Sequence, residues 1–399
     1  MVKRMKRLQD MEVDNKTVIV RCDFNVPIKD NQIIDDYKIV KSLDTIKYLL
    51  DRNCRIVLLS HLGKVKTEED KNNNSLEIVA RRLKTLLNTN VIFSRVIRNE
   101  ALNQKIKTLQ PKSIILLENT RFMDVPNKQE SNCDDDLSKY FASLGDIFVM
   151  DAFGSSHRRH ASTYGITKYI PSCIGLLVQN EIDNINKYVI NAEHPFTIVM
   201  GGAKIDDKLE LMVELLPKCN YMLLTGGLAN TCLKVLGFNV GNSICSKDDA
   251  VLAVVKEMLV TYRDKITLPY DVIVTNTYSD NYIDQKNVDE IDSNEEIKDI
   301  GGTTLSNYAK VINQSKTIFV NGTAGVYEDN RFANGTKELL RIISSSPADV
   351  VVGGGDAASA ARTLGYSNSF KFISTGGGAT LDYIINHKMA IEDNDVEVL

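Results

Sequence analysis

Runs of β-branched and aliphatic residues alternate with segments of helical periodicity along most of the chain, which predicts parallel sheets covered by helices on both faces. In the first part the runs are TVIVRCDF, CRIVLLSH, NVIFS, SIILLENTR and DIFVMDAFG. In the second they are FTIVMGG, YMLLTGG, DVIVTN, TIFVNG, DVVVGGG and KFISTGGG. The expected fold class is α/β, with two doubly wound parallel-sheet (Rossmann-like) domains. From Pro171 onward, Ile174, Leu177, Val178, Ile182, Ile185 and Val189 mark one face of a long helix. Roughly 18 residues at 1.5 Å each span about 27 Å, enough to bridge two domains. The expected division is therefore 1–171, a bridging helix over 172–190, and a second domain from 191 to 383. Polar stretches at Lys66–Ser75, Asp124–Asp136 and Asn276–Asp299 read as surface loops, the last of them acidic.

In open parallel sheets ligands bind beyond the carboxyl ends of the strands, so the residues after each run carry the chemistry. In the second half these are glycines: Gly201 and Gly202, Gly226 and Gly227, Gly301 and Gly302, Gly322 and Gly325, Gly353, Gly354 and Gly355, and Gly376 to Gly378. Glycine at so many strand ends describes a surface cleared for a ligand with phosphates and a flat ring. Asp356 closes one such turn as a hard oxygen donor suited to Mg²⁺, and Glu328 is placed to accept from ribose hydroxyls.

The segment VMGGAKIDDKLELM sets Lys204 and Lys208 at the start of a predicted helix, four residues apart. Like charges at that spacing repel, and a helix amino end is already partly positive. Asp206 and Asp207 could cap the helix and screen them. The pattern is neither a Walker loop nor G-x-G-x-x-G. An anion resolves the arrangement: both lysines would sit under nucleotide phosphates, and at least one would follow a phosphoryl group as it crosses.

The strand ends of the first half are polar and cationic. Asp23 and Asn25 follow the first run, His61 and Lys64 the second, Arg121 a later one, and His157, Arg158, Arg159 and His160 the last. Their repulsion needs an anion to offset it, and Arg supplies a planar fork matched to carboxylate and phosphate oxygens. The implied substrate is small and polyanionic.

Bulk properties narrow the picture further. A chain of 399 residues, 43% hydrophobic and 25% charged, is long enough for two or three domains. Its net charge of -4 makes no case for nucleic-acid or membrane-surface binding. Seven scattered cysteines without a C-x-x-C pair read as reduced thiols of a cytoplasmic protein. The basic opening is not followed by a signal-like apolar stretch, and no apolar run is long enough to span a membrane.

The stretches VRCDFNVPI, LLSHLGK, LLENTRF, DAFGSSHRRHAS, MGGAKIDDK, VNGTAGVYE, GGGDAASAA and STGGGATL, in this order and spacing, resemble the phosphoglycerate kinase family from about Lys16 to Ile385. The resemblance implies reversible, Mg²⁺-dependent phosphoryl transfer between ATP and 3-phosphoglycerate, giving ADP and 1,3-bisphosphoglycerate in glycolysis. It implies that Asp23, Phe24, Asn25, Lys38, His61, Lys64, Arg121, His157 and Arg158 hold the acid substrate, with His160 supporting the patch. Gly201, Gly202, Ala203, Lys204, Lys208, Gly226, Gly227, Asn321, Glu328, Gly353, Gly354, Gly355, Asp356 and Ala357 would hold the nucleotide. Asp356 would bear the metal, and Lys38, Lys204 and Lys208 would act in transfer. The family is typically a cytoplasmic monomer whose domains close by a hinge. Its carboxyl-terminal tail, about 384–399 here, returns to the first domain.

Departures are equally specific. Lys38 in DDYKI stands where the family usually has Arg, keeping the charge without the fork. The stretch usually written W-N-G-P-M-G reads VNGTAG, with Val320, Thr323 and Ala324 in place of Trp, Pro and Met, and Ala357 stands where Thr or Ser is common. These departures motivate an alternative, a catalytically weakened relative kept for binding or regulation.

Overall fold

The computed structural model describes residues 5–203, 205–276 and 278–393, without the side chains of Asp206, Asp207, Asp280 and Asn281. Lys204 lies outside the described residues, as do the two aspartate side chains expected to cap its helix. The chain packs as two compact units, one built on 5–182 with 386–393, the other on 183–385.

The first unit holds a seven-stranded parallel sheet. Its strands are β1 (Lys6–Arg7), β2 (Thr17–Cys22), β3 (Arg55–Leu59), β4 (Val91–Ser94), β5 (Ile114–Leu117), β6 (Ile147–Asp151) and β7 (Ser172–Ile174), in the order β1-β7-β6-β2-β3-β5-β4. Val18, Ile19 and Val20 are all fully buried, so β2 is covered on both faces, as an unbroken apolar run requires. β2 and β6 are neighbours, with Val20 opposite both Leu58 and Val149. β3, β5 and β4 lie on one side of β2, and β6, β7 and β1 on the other. The order reverses between β2 and β6, which opens a crevice at their carboxyl ends. In this unit the tail segment packs through the N–H of Ala390, which donates to Ser156 O at 3.2 Å.

The helix expected to bridge the domains begins later than its periodicity predicts. Residues 172–174 form β7, with Cys173 opposite Val149, and the helix runs Leu176–Ile185 before a π-helical turn at Asn186–Ile190. Ile174 is therefore a strand residue. The boundary is set from β6: the Asp151 carboxylate accepts from Leu177 N at 3.0 Å, and a Cβ at Gly175 would stand 2.2 Å from the same oxygen. Thr45 Oγ1 takes the N–H of Leu176 at 3.0 Å.

Asp151 is fully buried, and its Oδ2 has no hydrogen-bond partner. Burial pushes its carboxyl up to about 7, against the bonds from Thr45, Leu177 and Val178. A carboxyl raised in the folded state contributes stability that is full below its unfolded value near 4 and is lost as pH rises through about 7. Asp151→Asn should therefore gain on the parent protein by about 1–2 kcal/mol between pH 5 and 7, read from urea unfolding at each pH. A constant difference across that range would show that the carboxyl does not titrate there.

The second unit holds a six-stranded parallel sheet, in the order β10-β9-β8-β14-β15-β16, formed by β8 (Phe196–Met200), β9 (Tyr221–Leu224), β10 (Ile266–Thr267), β14 (Thr317–Asn321), β15 (Asp349–Gly353) and β16 (Phe372–Ile373). The order reverses between β8 and β14. The run DVIVTN does not join this sheet. It forms β11 (Asp271–Asn276), the centre of an antiparallel sheet with β12 (Ser279–Asn287) and β13 (Glu295–Ile300). Much of the stretch expected to be an acidic loop is thus strand. Its polarity arises because only one face is covered, by a small core of Val272, Val274 and Ile291 with Tyr282, Val288 and Ile297. Lys286 compensates part of the acidity, lying 2.9 Å from Asp292 and 2.8 Å from Glu295.

Candidate functional site

Beyond β2 and β3 the first unit gathers a mixed patch around its switch point. Asp23 follows β2 and is buried, and Lys38, from the short helix Tyr37–Lys41, donates to its Oδ2 at 2.8 Å. Burial would raise the Asp23 carboxyl, but the Lys38 charge and hydrogen bond outweigh it and hold it at about 2. Asn25 is exposed, and its Oδ1 takes the N–H of Gly63 at 2.9 Å, tying the β2 loop to the loop that carries the exposed Lys64. Phe24 is 0% exposed: its side chain belongs to the core, with its N–H on Ser60 Oγ at 2.8 Å.

Arg121 is braced by Asp124 at 3.0 Å and Ser131 at 2.5 Å. Arg158 is half-buried beside it, and its guanidinium is lowered by burial and then by the Arg121 charge. Arg159 is engaged elsewhere, 2.6 Å from Asp393 on the tail.

The histidines are not cations. Burial, then Arg158, pushes His157 down to about 4, and burial with Arg121, Arg21 and Arg158 pushes His160 down to about 3. His61 is held well below the usual histidine range by burial, which outweighs the pull of Asp23, with Arg21, Arg121 and Lys38 acting in the same direction as burial. The positive charge of the patch comes from lysine and arginine, and the imidazoles are neutral hydrogen-bonding groups.

Sequence reasoning passes over the group beneath this patch. Arg21, 1% exposed, points into the unit and donates through Nε to Ser162 Oγ at 2.8 Å and through Nη1 to Cys22 O at 2.5 Å. Its Nη2 lies 3.2 Å from His61 Nδ1. Ser162 in turn donates to Glu130, which is 0% exposed. The available signal was an arginine inside the apolar run TVIVRC.

At the switch point of the second unit, Gly201 N–H donates to Asn321 O at 2.9 Å, closing β8 against β14. Lys208, 8% exposed on the helix Asp206–Leu215, donates through Nζ to Gly201 O. Gly322 has φ +94°, and a Cβ there would stand 2.1 Å from Gly201 O and 2.5 Å from Lys208 Nζ. A Cβ at Gly226, φ +58°, would stand 2.8 Å from Gly202 N. Only glycine lets these loops approach so closely. Next to them lies a cleft of about 300 Å³, lined by Gly202, Ala203, Gly226 and Gly227, by Thr323 to Val326 with Glu328, and by Asp356. Pro269, Val272, Ile244 and Ile300 make one part of it apolar, fit for a flat ring.

A family model described as phosphoglycerate kinase matches residues 8–387. The chain belongs to the phosphoglycerate kinase family. The phosphoglycerate kinase of Macrococcus caseolyticus is 44% identical over 386 residues, covering 96% of each chain. That of Fusobacterium nucleatum is 42% identical, over 95% of this chain and 96% of its own. Among solved structures, the phosphoglycerate kinase of Coxiella burnetii matches with a TM-score of 0.82 at 34% identity, covering 97% of both chains. That of Pyrococcus horikoshii matches with a TM-score of 0.83 at 29% identity and the same coverage.

Within this phosphoglycerate kinase fold, the nucleotide residues expected from the sequence fall into two groups. Gly202, Ala203, Gly226, Gly227, Glu328 and Asp356 line the cleft. Gly201, Asn321, Gly353, Gly354 and Gly355 stand at or just beyond the strand ends, where Asn321 Nδ2 donates to Gly353 O at 3.3 Å, and Lys208 reaches Gly201 O from the helix Asp206–Leu215. Ala357 is buried in the first turn of the helix Gly355–Thr363. Two of the strand-end glycines, Gly301 and Gly325, make room for acidic side chains. A Cβ at Gly301 would meet the Asp271 carboxylate at 2.4 Å, where Asp271 caps the helix Gly302–Ile312 through Thr304 N at 2.7 Å. Gly325 makes room in the same way for Asp299, whose Oδ2 takes Gly335 N at 2.6 Å.

Proposed function

We propose that this chain catalyses reversible phosphoryl transfer between ATP and 3-phosphoglycerate, with the acid bound on the first unit and the nucleotide on the second. The observation that carries the reading is the pairing, in one chain of this family, of a cationic strand-end patch with a glycine-lined strand-end cleft, each at the switch point of its own parallel sheet. Arg121, Arg158, Lys64 and Lys38 bind the polyanionic acid, and Asn25 and the neutral histidines orient it by hydrogen bonds. The glycine turns offer amides to the phosphates, the apolar side takes the base, and Glu328 accepts from the ribose.

The reaction needs no protein nucleophile. A carboxylate oxygen of the acid forms a bond to the terminal phosphorus of ATP as the bond to ADP breaks, and the return reaction reverses both. The protein's part is to position the two oxygens and to stabilise charge on the transferring group in a site that excludes water. Lys208 is placed to do the second on the nucleotide side. Asp356 suits Mg²⁺ that arrives on nucleotide phosphates, because this ion keeps most of its shell and takes only one or two carboxylates. Bound there, it would neutralise phosphate charge.

Seven free cysteines, five of them buried, support a reducing compartment, and we assign the chain to the cytoplasm as a monomer. No helix among the described residues is long and apolar enough to cross a membrane. A coupled assay on purified protein tests the reading. Turnover that depends on Mg²⁺ and both substrates is expected, whereas binding of both ligands without turnover would point to a weakened relative. Asp356→Asn should raise KM for Mg²⁺-ATP by about tenfold and leave 3-phosphoglycerate affinity within about twofold. Titrating 3-phosphoglycerate alone is the check, and a large loss there would refute the placement of the two ligands.

A further inference from the structure

The buried chain Glu130, Ser162, Arg21 and His61 joins four side chains from distant parts of the sequence into one line that ends at the acid-substrate patch. Ser162 Oγ accepts from Arg21 Nε at 2.8 Å and donates to Glu130 Oε1 at 2.5 Å, while Ser162 N donates to Glu130 Oε2 at 3.0 Å. Glu130 thus supplies the countercharge that a fully buried guanidinium needs. At the other end, Arg21 Nη2 faces His61 Nδ1 at 3.2 Å. A guanidinium can only donate, so Nδ1 must carry the lone pair. A neutral imidazole with a lone pair on Nδ1 carries its proton on Nε2. The other charges around the ring, Asp23, Arg121 and Lys38, also act on its protonation.

We propose that Arg21, Ser162 and Glu130 are positioning residues for the acid substrate: they fix His61 as the uncharged Nε2–H tautomer, so that it meets a phosphate or carboxylate oxygen as a donor. This rests on the reading that the first-unit patch binds 3-phosphoglycerate. A histidine left to choose its tautomer would spend part of its time presenting a lone pair to an anion, and that geometry repels. The buried chain removes that state before the substrate arrives. Burial and the neighbouring cations, which hold His61 neutral, act in the same direction. The group is distinct from the cations that bind the anion directly, because Arg21 and Glu130 are too buried to touch it.

The test reads the ring nitrogens of His61 by long-range ¹H–¹⁵N NMR in the full chain, assigned with His61→Gln among the five histidines. In the parent protein the proton should stay on Nε2 from about pH 5.5 to about pH 8. A proton on Nδ1, or a mixture, overturns the proposal. Arg21→Lys keeps the charge but loses the fork, and should give a mixed tautomer with KM for 3-phosphoglycerate raised about tenfold and KM for ATP within about twofold. Ser162→Ala, which removes the Nε acceptor, should move both readouts in the same direction by less, and serves if Arg21→Lys does not fold. If the tautomer and the KM for 3-phosphoglycerate stay at parent values in the folded variants, the chain is merely structural and the proposal is wrong. Failure of the patch reading looks different: adding 3-phosphoglycerate to the parent protein would then leave the Nε2 signal unmoved although the tautomer is fixed.

Discussion

Replacing Lys208 by alanine is expected to lower kcat by about 100-fold or more while KM for either substrate changes by no more than about threefold. Lys208 is 8% exposed, and its ammonium is held by Gly201 O at the ends of β8 and β14. Gly202 and Gly322, whose backbones lie beside it, carry no side chain to crowd it. A charge fixed before the ligand arrives costs no reorganisation during transfer, so most of its effect falls on the transition state. Lys208→Arg is expected to be nearly as poor. A guanidinium is larger, and the positions a Cβ would take at Gly202 and Gly322 are only 2.9 and 2.5 Å from the present Nζ. Steady-state kinetics with each substrate varied in turn, alongside thermal unfolding, separates this from simple damage. A change confined to KM, or a loss explained by unfolding, would remove Lys208 from the transfer step.

Lys38→Ala carries the second large effect, a loss of about 100-fold in turnover if the position stabilises the transferring group. The geometry adds a second consequence. Lys38 is the partner of Asp23, and without it a nearly buried carboxylate is left uncompensated, at a cost of about 1–3 kcal/mol. The Asp23 carboxyl, now held at about 2, should rise, and the variant should lose stability as a result. Adding Asp23→Asn to Lys38→Ala should restore stability but not turnover, which separates the two roles of one ammonium. Lys38→Arg asks whether the family's usual fork still fits. A rise of a few fold at most is expected, because the pocket around Asp23 already accommodates an ammonium. Turnover of Lys38→Ala equal to that of the parent protein would assign the work to Arg121, Arg158 or Lys64 instead.

The sequence alone determined the alternation of apolar runs and helical segments, the glycines at the second unit's strand ends and the cations at the first unit's. These are local patterns: a parallel strand covered on both faces must be apolar throughout, and a turn that brings backbone close to a ligand must lack a Cβ. β11 to β13 escaped that logic. A sheet with one wet face is half polar by construction, so β12 reads as a loop until Val272, Val274 and Ile291 are seen to cover its other side. The start of the bridging helix escaped it too, because Asp151, 26 residues upstream, chooses which amide begins the helix.

The chemistry of the first-unit patch was the part that only tertiary structure decided. The sequence shows His61, His157 and His160 as candidate cations, but burial beside arginines drawn from distant parts of the chain leaves all three neutral. Arg21 and Ser162 are 141 residues apart, and Lys38 meets Asp23 from the helix Tyr37–Lys41. Residue type sets what a group can do, and local pattern sets where its backbone lies. Its charge and its tautomer depend on desolvation and on neighbours that only folding brings within a few ångströms.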